Sequence, residues 1–179
     1  IASCRMAERV LRSGFEKIAV NTSALRNPGL VSELAEEFGS QSVIVSIDVK
    51  RNPFGTYRCR GMSGRLRTAM SPMAWAREAE KRGAGELLLT AIDREGTWSG
   101  FDTQLVRSVA DAVCVPVIAN GGAGREHDID RVLADGGATA VALGSMVVYQ
   151  KRGMGVLVNF PKLESVPHMA ETDGCLPNL

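Results

Sequence analysis

The sequence lacks an excess of charge of either sign. Its 179 residues include 21 Lys and Arg against 20 Asp and Glu, which gives a formal net charge of +1. That balance argues against a dedicated nucleic-acid surface. No apolar run approaches the roughly 18 residues of a membrane span, and no signal peptide is visible. We therefore expect one globular, cytoplasmic domain with neither a nucleic-acid nor a membrane partner.

Cysteine and histidine are too few and too scattered to indicate a disulfide framework or a metal site. No two cysteines form a CxxC pair, so reduced thiols are the expectation. The two histidines, His127 and His168, have no metal-ligand spacing. We expect neither a metal nor a cofactor. The four cysteines are Cys4, Cys59, Cys114 and Cys175.

Five short apolar runs alternate with longer amphipathic stretches. The runs are nearly continuous in apolar residues, which is typical of strands buried on both faces of a parallel sheet. The stretches between them have helical periodicity, so the pattern predicts right-handed βαβ units in an α/β fold. The predicted strands are 17–20, 42–49, 86–92, 115–120 and 139–145, and the predicted helices are 5–13, 29–38, 72–82, 103–113 and 126–135.

Each predicted strand ends in small or polar residues, which places a ligand-binding edge at the carboxyl ends of the strands. Asp48 lies between two apolar runs, near the end of the second predicted strand. A carboxylate at this edge is a candidate general acid or base, and the alternative is an aspartate that caps the next turn. Residues 50–70 are too long for an ordinary connection. They predict a mobile flap or a hairpin over the site, with a solvated basic excursion as the alternative.

A fifteen-residue unit occurs twice, at Arg9–Ser23 and Arg131–Ser145, with Gly14 matching Gly136. The later copy follows the glycine loop of "IANGGAG", which predicts an anion site at Gly122 and Ser145. We expect Gly122→Val to weaken binding of a phosphorylated ligand and to leave the fold intact. The matching glycine loop of the earlier copy would lie just before Ile1. Two such sites suit a substrate with a phosphate at each end.

Four segments together resemble the cyclase subunit of imidazole glycerol phosphate synthase. They are "KIAVNTSAL", "VIVSIDVK", the run from Gly83 to Asp102, and "VPVIANGGAG". The resemblance implies a (β/α)8 TIM barrel of the ribulose-phosphate-binding type with an internal half-barrel repeat. Residues 1–150 then correspond to about five C-terminal βα units, strands four to eight, and 151–179 form a divergent tail.

The resemblance also implies the roles of individual residues. Asp48 is expected to be catalytic. Asn21 and Thr22 are expected to form one phosphate site, and the ammonia entry is expected at Lys17 and Glu86. The other phosphate site is expected at Gly96, Gly122, Gly144 and Ser145.

The implied activity uses ammonia from a partner glutaminase, in a heterodimer. A bis-phosphorylated ribulosyl-aminoimidazole carboxamide is converted to imidazole glycerol phosphate and aminoimidazole carboxamide ribotide, in histidine biosynthesis. The stretch "GSMVVYQKRGMGVLVNFP" is similar instead to paralogues that supply ammonia for sugar amidation in surface-polysaccharide biosynthesis, which is the alternative. A further alternative is a non-catalytic half-barrel.

The sequence departs from the family pattern in several respects, and two of them bear on the site. Glu95 stands where the family usually has aspartate, and the family's other catalytic aspartate lies on a first strand that this sequence does not contain. Against the usual barrel length of about 250 residues, roughly 80 residues are expected ahead of Ile1. We therefore expect residues 1–179 alone to be inactive and, through their open sheet edges, to self-associate.

Overall fold

The computed structural model describes residues 1–149 together with 155, 156 and 158. The predicted division at residue 150 and nearly all of the predicted tail therefore lie outside the described residues. Within the described residues, no helix has the length and apolar character that a membrane crossing requires.

Seven strands form one mixed sheet, and five of them, β1, β2, β5, β6 and β7, pair in parallel. The other two form a hairpin that continues the sheet antiparallel to β2. This confirms the predicted parallel α/β architecture. The strands are β1 (Ile18–Val20), β2 (Val43–Arg51), β3 (Tyr57–Gly61), β4 (Leu66–Arg67), β5 (Glu86–Ala91), β6 (Val117–Asn120) and β7 (Ala140–Ala142).

Seven α-helices accompany these strands in the described part of the chain, and the five predicted helices are all present. The start of α4 shows why they form. Ser71 accepts a hydrogen bond from the backbone N–H of Ala74, and Pro72 occupies the first turn, where its missing N–H costs nothing. The helices are α1 (Cys4–Arg12), α2 (Thr22–Arg26), α3 (Gly29–Phe38), α4 (Pro72–Lys81), α5 (Thr103–Ala110), α6 (Glu126–Ala134) and α7 (Ser145–Val148).

Strand β2 is the centre of the sheet. Strand β1 pairs with its first half, through Val43 to Val45, and β3 pairs on the same side with its second half, from Asp48 to Arg51. Strand β5 pairs along its other side, followed by β6 and β7. In the described chain β1 pairs only with β2 and β7 only with β6, so this sheet is open and not a closed barrel.

The two faces of the sheet differ. On β2, one set of alternate residues is almost completely buried beneath α3 and α4, and we call this the helix-covered face. The other set is half-exposed, and we call this the open face. The helix-covered residues of β2 are Val43, Val45, Ile47 and Val49, and the open-face residues are Ile44, Ser46 and Asp48.

The secondary structure follows the sequence repeat. Helix α6 and strand β7 lie 122 positions after α1 and β1, with identical lengths. In both copies a short helix follows the strand directly, α2 in the first copy and α7 in the second. We expected neither. Residues 139–145 were predicted as one strand, but β7 ends at Ala142 and Ser145 begins α7, because Gly144 adopts the N-cap position there.

Residues 50–70 form a hairpin, which was one of the two predicted forms of this segment. Strand β3 pairs with the end of β2 at Asp48 and Arg60, and β4 pairs with β3. The backbone N–H of Cys59 also donates to the carbonyl of Met70. The hairpin therefore extends the sheet at the edge where the ligand site was predicted.

Candidate functional site

Three polar side chains lie side by side at the carboxyl edge of the open face. The parallel register pairs Asp48 with Thr90, and Thr90 with Asn120. Residues paired in this way project from the same face of a sheet. The Asn120 amide Nδ2 donates to Thr90 Oγ1 over 3.1 Å. Three adjacent strands thus contribute one polar layer that includes the predicted catalytic carboxylate.

Asp48 lies in an environment that favours its protonated form. Its side chain is half-buried, and burial raises its pKa above the ordinary value for aspartate. The Asn21 side-chain amide acts in the opposite direction, because it hydrogen-bonds the charged form. A carboxyl group whose pKa is moved toward neutrality is better suited to both accept and return a proton.

The first predicted phosphate site, Asn21 and Thr22, lies beside Asp48 at the end of β1. Asn21 Nδ2 donates to Ser46 Oγ over 3.4 Å, which places Asn21 next to the open face of β2. Thr22 begins α2, and its Oγ1 accepts a hydrogen bond from the backbone N–H of Met62 over 2.8 Å. The Thr22 hydroxyl proton remains available to a ligand oxygen.

The second predicted phosphate site gathers residues from three loops. A Cβ built on Gly96 would lie 3.8 Å from Ser145 Oγ, and one built on Gly144 would lie 3.4 Å from Glu95 Oε1. The loops after β5 and β7 therefore meet at this edge. Gly122, after β6, adjoins the first of these loops, because its carbonyl accepts the N–H of Gly100 over 2.8 Å.

Gly122 also has a structural role that the sequence did not indicate. Its φ is +101°, and a Cβ there would lie 2.4 Å from the carbonyl oxygen of Gly100. A β-branched side chain can satisfy neither condition without moving backbone. The expectation that Gly122→Val leaves the fold intact is therefore wrong, and Ser145 is the better position for a binding variant.

Lys17 and Glu86 form an ion pair at the opposite, amino end of the sheet. Lys17 precedes β1, and Glu86 is the first residue of β5, paired in register with Ile44 of the open face. The structure thus brings together the two residues predicted for ammonia entry. Their role in that entry stays a prediction.

Ser46 and Thr90 are candidate site residues that the sequence reasoning did not name, and it placed Asn120 only at a predicted strand end, without a role. Counting every second residue back from Asp48 along β2 would have found Ser46. Thr90 and Asn120 need the register between strands, which a single sequence does not give.

A separate cavity of about 240 Å³ is lined in part by the loop that joins β5 to α5. Its lining contains neither Asp48 nor the predicted phosphate residues. Charged side chains dominate it: Arg51, Arg94, Asp102, Asp128 and Arg131.

Comparison with known proteins identifies one family and several similar subunits of one enzyme. The sequence profile of the family described as "Histidine biosynthesis protein" matches residues 1–152. The imidazole glycerol phosphate synthase subunit HisF of Pyrobaculum aerophilum is 49% identical over 147 residues, which make up 82% of this chain and 57% of that protein. The subunit of the same name from Legionella pneumophila is 50% identical over 130 residues, 73% of this chain and 61% of that protein.

A more distant match extends further along the chain. The HisF subunit of Alkaliphilus metalliredigens is 38% identical over 160 residues, 89% of this chain and 61% of that protein. The chain therefore spans about 60% of the length of the curated relatives that it matches.

Proposed function

The chain belongs to the histidine biosynthesis protein family, and on that basis we propose that the protein containing it is the cyclase subunit of an imidazole glycerol phosphate synthase. Ammonia from a glutaminase partner is its nitrogen source. The substrate is a bis-phosphorylated ribulosyl-aminoimidazole carboxamide, and the products are imidazole glycerol phosphate and aminoimidazole carboxamide ribotide. The names printed for the relatives support this activity.

One observation supports the proposal most directly. A half-buried carboxylate, Asp48, lies between two groups of residues suited to anions along one sheet edge. On the β1 side are Asn21 and Thr22, and on the side of β6 and β7 are Gly122 and Ser145. A substrate with a phosphate at each end can bind both groups at once and so present its central atoms to Asp48.

Asp48 acts in this proposal as the group that moves protons. Burial raises its pKa, so the carboxyl group exchanges protons at a smaller cost near neutral pH than an exposed aspartate does. Asn120 and Thr90, in the same layer, supply an amide and a hydroxyl that orient the substrate beside it.

Ammonia enters in this proposal at the Lys17–Glu86 pair. Glu86 and Thr90 are four residues apart on β5, so the ion pair lies about 13 Å below the layer of Asp48 at the usual rise per residue. Between the two ends the open-face side chains are apolar except for Ser46: they are Ala19, Ile44, Leu88 and Ile118. A largely apolar path suits neutral ammonia better than ammonium.

The test is a turnover assay with the natural protein that contains this chain, an ammonium salt as nitrogen source and the bis-phosphorylated substrate. Formation of both products supports the proposal. Tight binding of the substrate without turnover would favour the non-catalytic alternative and would overturn the proposed activity.

A second candidate, an ammonia-using subunit for sugar amidation in surface-polysaccharide biosynthesis, is favoured by the sequence of 144–161, half of which lies outside the described residues. The same assay separates the two functions. If the second candidate is right, the protein neither binds nor turns over the bis-phosphorylated imidazole substrate. It still receives ammonia from a glutaminase.

A further inference from the structure

The hairpin β3–β4 contacts the first predicted phosphate site at Thr22, and at Asp102 it contacts the end of the loop that carries Gly96 of the second. At its base, the Tyr57 hydroxyl donates to the carboxylate of Asp102, over 2.9 Å to Oδ2 and 3.0 Å to Oδ1. At its tip, the backbone N–H of Met62 donates to Thr22 Oγ1 over 2.8 Å. Sequence separations of 45 and 40 residues make both of these contacts tertiary ones.

The Asp102 carboxylate connects Tyr57 to helix α5 and to an arginine. It is buried, with 6% of the residue exposed, and it caps α5 by accepting the N–H of Leu105 over 3.2 Å. Arg94 lies 3.6 Å from its Oδ2. Burial and the neighbouring carboxylate raise the pKa of Tyr57 to about 12, so the phenol remains a hydrogen-bond donor at any physiological pH.

Arg94 extends this connection into the loop that carries Gly96. Its guanidinium Nη1 donates to the carbonyls of Gly100 and Phe101, over 3.1 Å in each case. The N–H of Gly100 donates in turn to the carbonyl of Gly122 over 2.8 Å. A continuous series of polar contacts therefore runs from the base of the hairpin to the glycine loop after β6.

The tip of the hairpin has a strained backbone. Met62 and Ser63 have φ angles of +50° and +55°, which non-glycine residues seldom adopt. Contacts to two residues of α2 accompany this conformation: the Met62 N–H bonds Thr22, and Arg26 Nη2 lies 3.0 Å from Met62 Sδ. Strain of this kind persists where surrounding contacts determine the conformation.

Asp48 lies between these two attachments, because β3 pairs with β2 at Asp48 and Arg60. We propose that Tyr57 is a positioning residue, which through Asp102 and Arg94 fixes the loop of Gly96 relative to the hairpin, and so fixes the two anion sites relative to Asp48. The series of contacts from Tyr57 through Asp102 and Arg94 to the loop of Gly96, which we call the mechanical link, is independent of the proposed function. Its importance for substrate binding rests on that function.

The link is tested by amide hydrogen exchange in Tyr57→Phe, which removes only the hydroxyl. Thr68→Val is the matched control, because it removes a hydroxyl that bonds the Cys59 carbonyl within the same hairpin, over 2.8 Å, and touches neither attachment. A hydrogen bond to a charged group justifies an expectation of about tenfold faster exchange.

We expect Tyr57→Phe to accelerate exchange at Gly100 as well as in β3, and Thr68→Val to accelerate it in the hairpin alone. Unchanged exchange at Gly100 in Tyr57→Phe would overturn the proposal, since Tyr57 would then stabilise only its own strand.

Affinity for inorganic phosphate tests the positioning role. Tyr57→Phe should weaken phosphate binding by about tenfold, and Thr68→Val should leave it unchanged. Faster exchange at Gly100 with phosphate affinity equal to wild type would overturn the positioning role. If the natural protein binds no phosphate while exchange at Gly100 still accelerates, the mechanical link is supported and the proposed function fails.

Discussion

The two faces of strand β2 place neighbouring residues in opposite environments. Ile47 is 1% exposed beneath the helices, whereas Asp48, the next residue, is half-exposed on the open face between the predicted anion sites. Packing on the helix-covered face accounts for the burial of this strand, and the polar groups suited to chemistry lie on the other face. Substitutions on the two faces should therefore separate stability from function.

The largest effect on stability is expected from Ile47→Ala. Removing a fully buried isoleucine side chain costs about 2–5 kcal/mol, because apolar contact is lost and a cavity remains. Ile44→Ala, at a half-exposed position of the same strand, should cost about 1 kcal/mol. Urea unfolding of the two variants measures the difference. Equal losses of unfolding free energy in the two variants would show that the open face is packed as tightly as the helix-covered face. The contrast between the two faces would then have no basis.

The largest effect on function is expected from Asp48→Asn. Turnover of the natural protein with ammonium should fall by about 10²-fold or more, as loss of a general acid or base predicts, while substrate affinity changes little. Asp111→Asn is the control, because it makes the same chemical change at an exposed position that pairs with Arg107. If Asp48→Asn retained wild-type turnover, Asp48 would have no part in proton transfer.

A smaller effect is expected at the anion site from Ser145→Ala. Loss of one hydroxyl contact to a phosphate should weaken phosphate affinity by about tenfold, measured by calorimetry, with no change in melting temperature. Ser108→Ala is the control, since its hydroxyl bonds the Leu105 carbonyl within α5. Equal affinity in wild type and Ser145→Ala would place phosphate binding elsewhere.

The five parallel strands were predictable from the sequence, whereas burial on both of their faces was the expectation and the structure leaves the open face of β2 half-exposed. Continuous apolar runs and Ser-Pro at the start of α4 are local signals, and the structure confirms the elements that they predicted. The repeat likewise predicted that β1 and β7 are equivalent. Such signals depend on neighbouring residues in the chain, which is why one sequence is enough to identify them.

The site was predictable only in part, because its remaining contacts are not local. Asp48 was identified by its place at a strand end. Thr90 and Asn120 join it through strand register, and Tyr57 meets Asp102 across 45 residues. The strained φ of Gly122 depends on its approach to Gly100, for which the sequence contains no signal.

The smallest expected effect is a pH-dependent gain of stability in Asp48→Asn. Burial raises the pKa of Asp48 above its unfolded value, so the ionised carboxylate opposes folding. This destabilisation by the charged carboxylate is absent below the unfolded-state pKa of about 3.9 and is complete above the folded-state pKa. The asparagine side chain carries no charge, so the variant should melt at a higher temperature than wild type at pH 7, and the gap should close as the pH falls toward 4.

The control for this comparison is again Asp111→Asn, which removes an exposed partner of Arg107 and should give no gain at pH 7. Thermal melts at pH 4 and pH 7 measure both variants. If the difference in melting temperature between Asp48→Asn and wild type were equal at the two pH values, the change in stability would come from packing and not from charge. A difference in melting temperature confined to neutral pH would show that the carboxylate at position 48 lowers the stability of the fold. This is the pattern expected where a residue is retained for its chemistry.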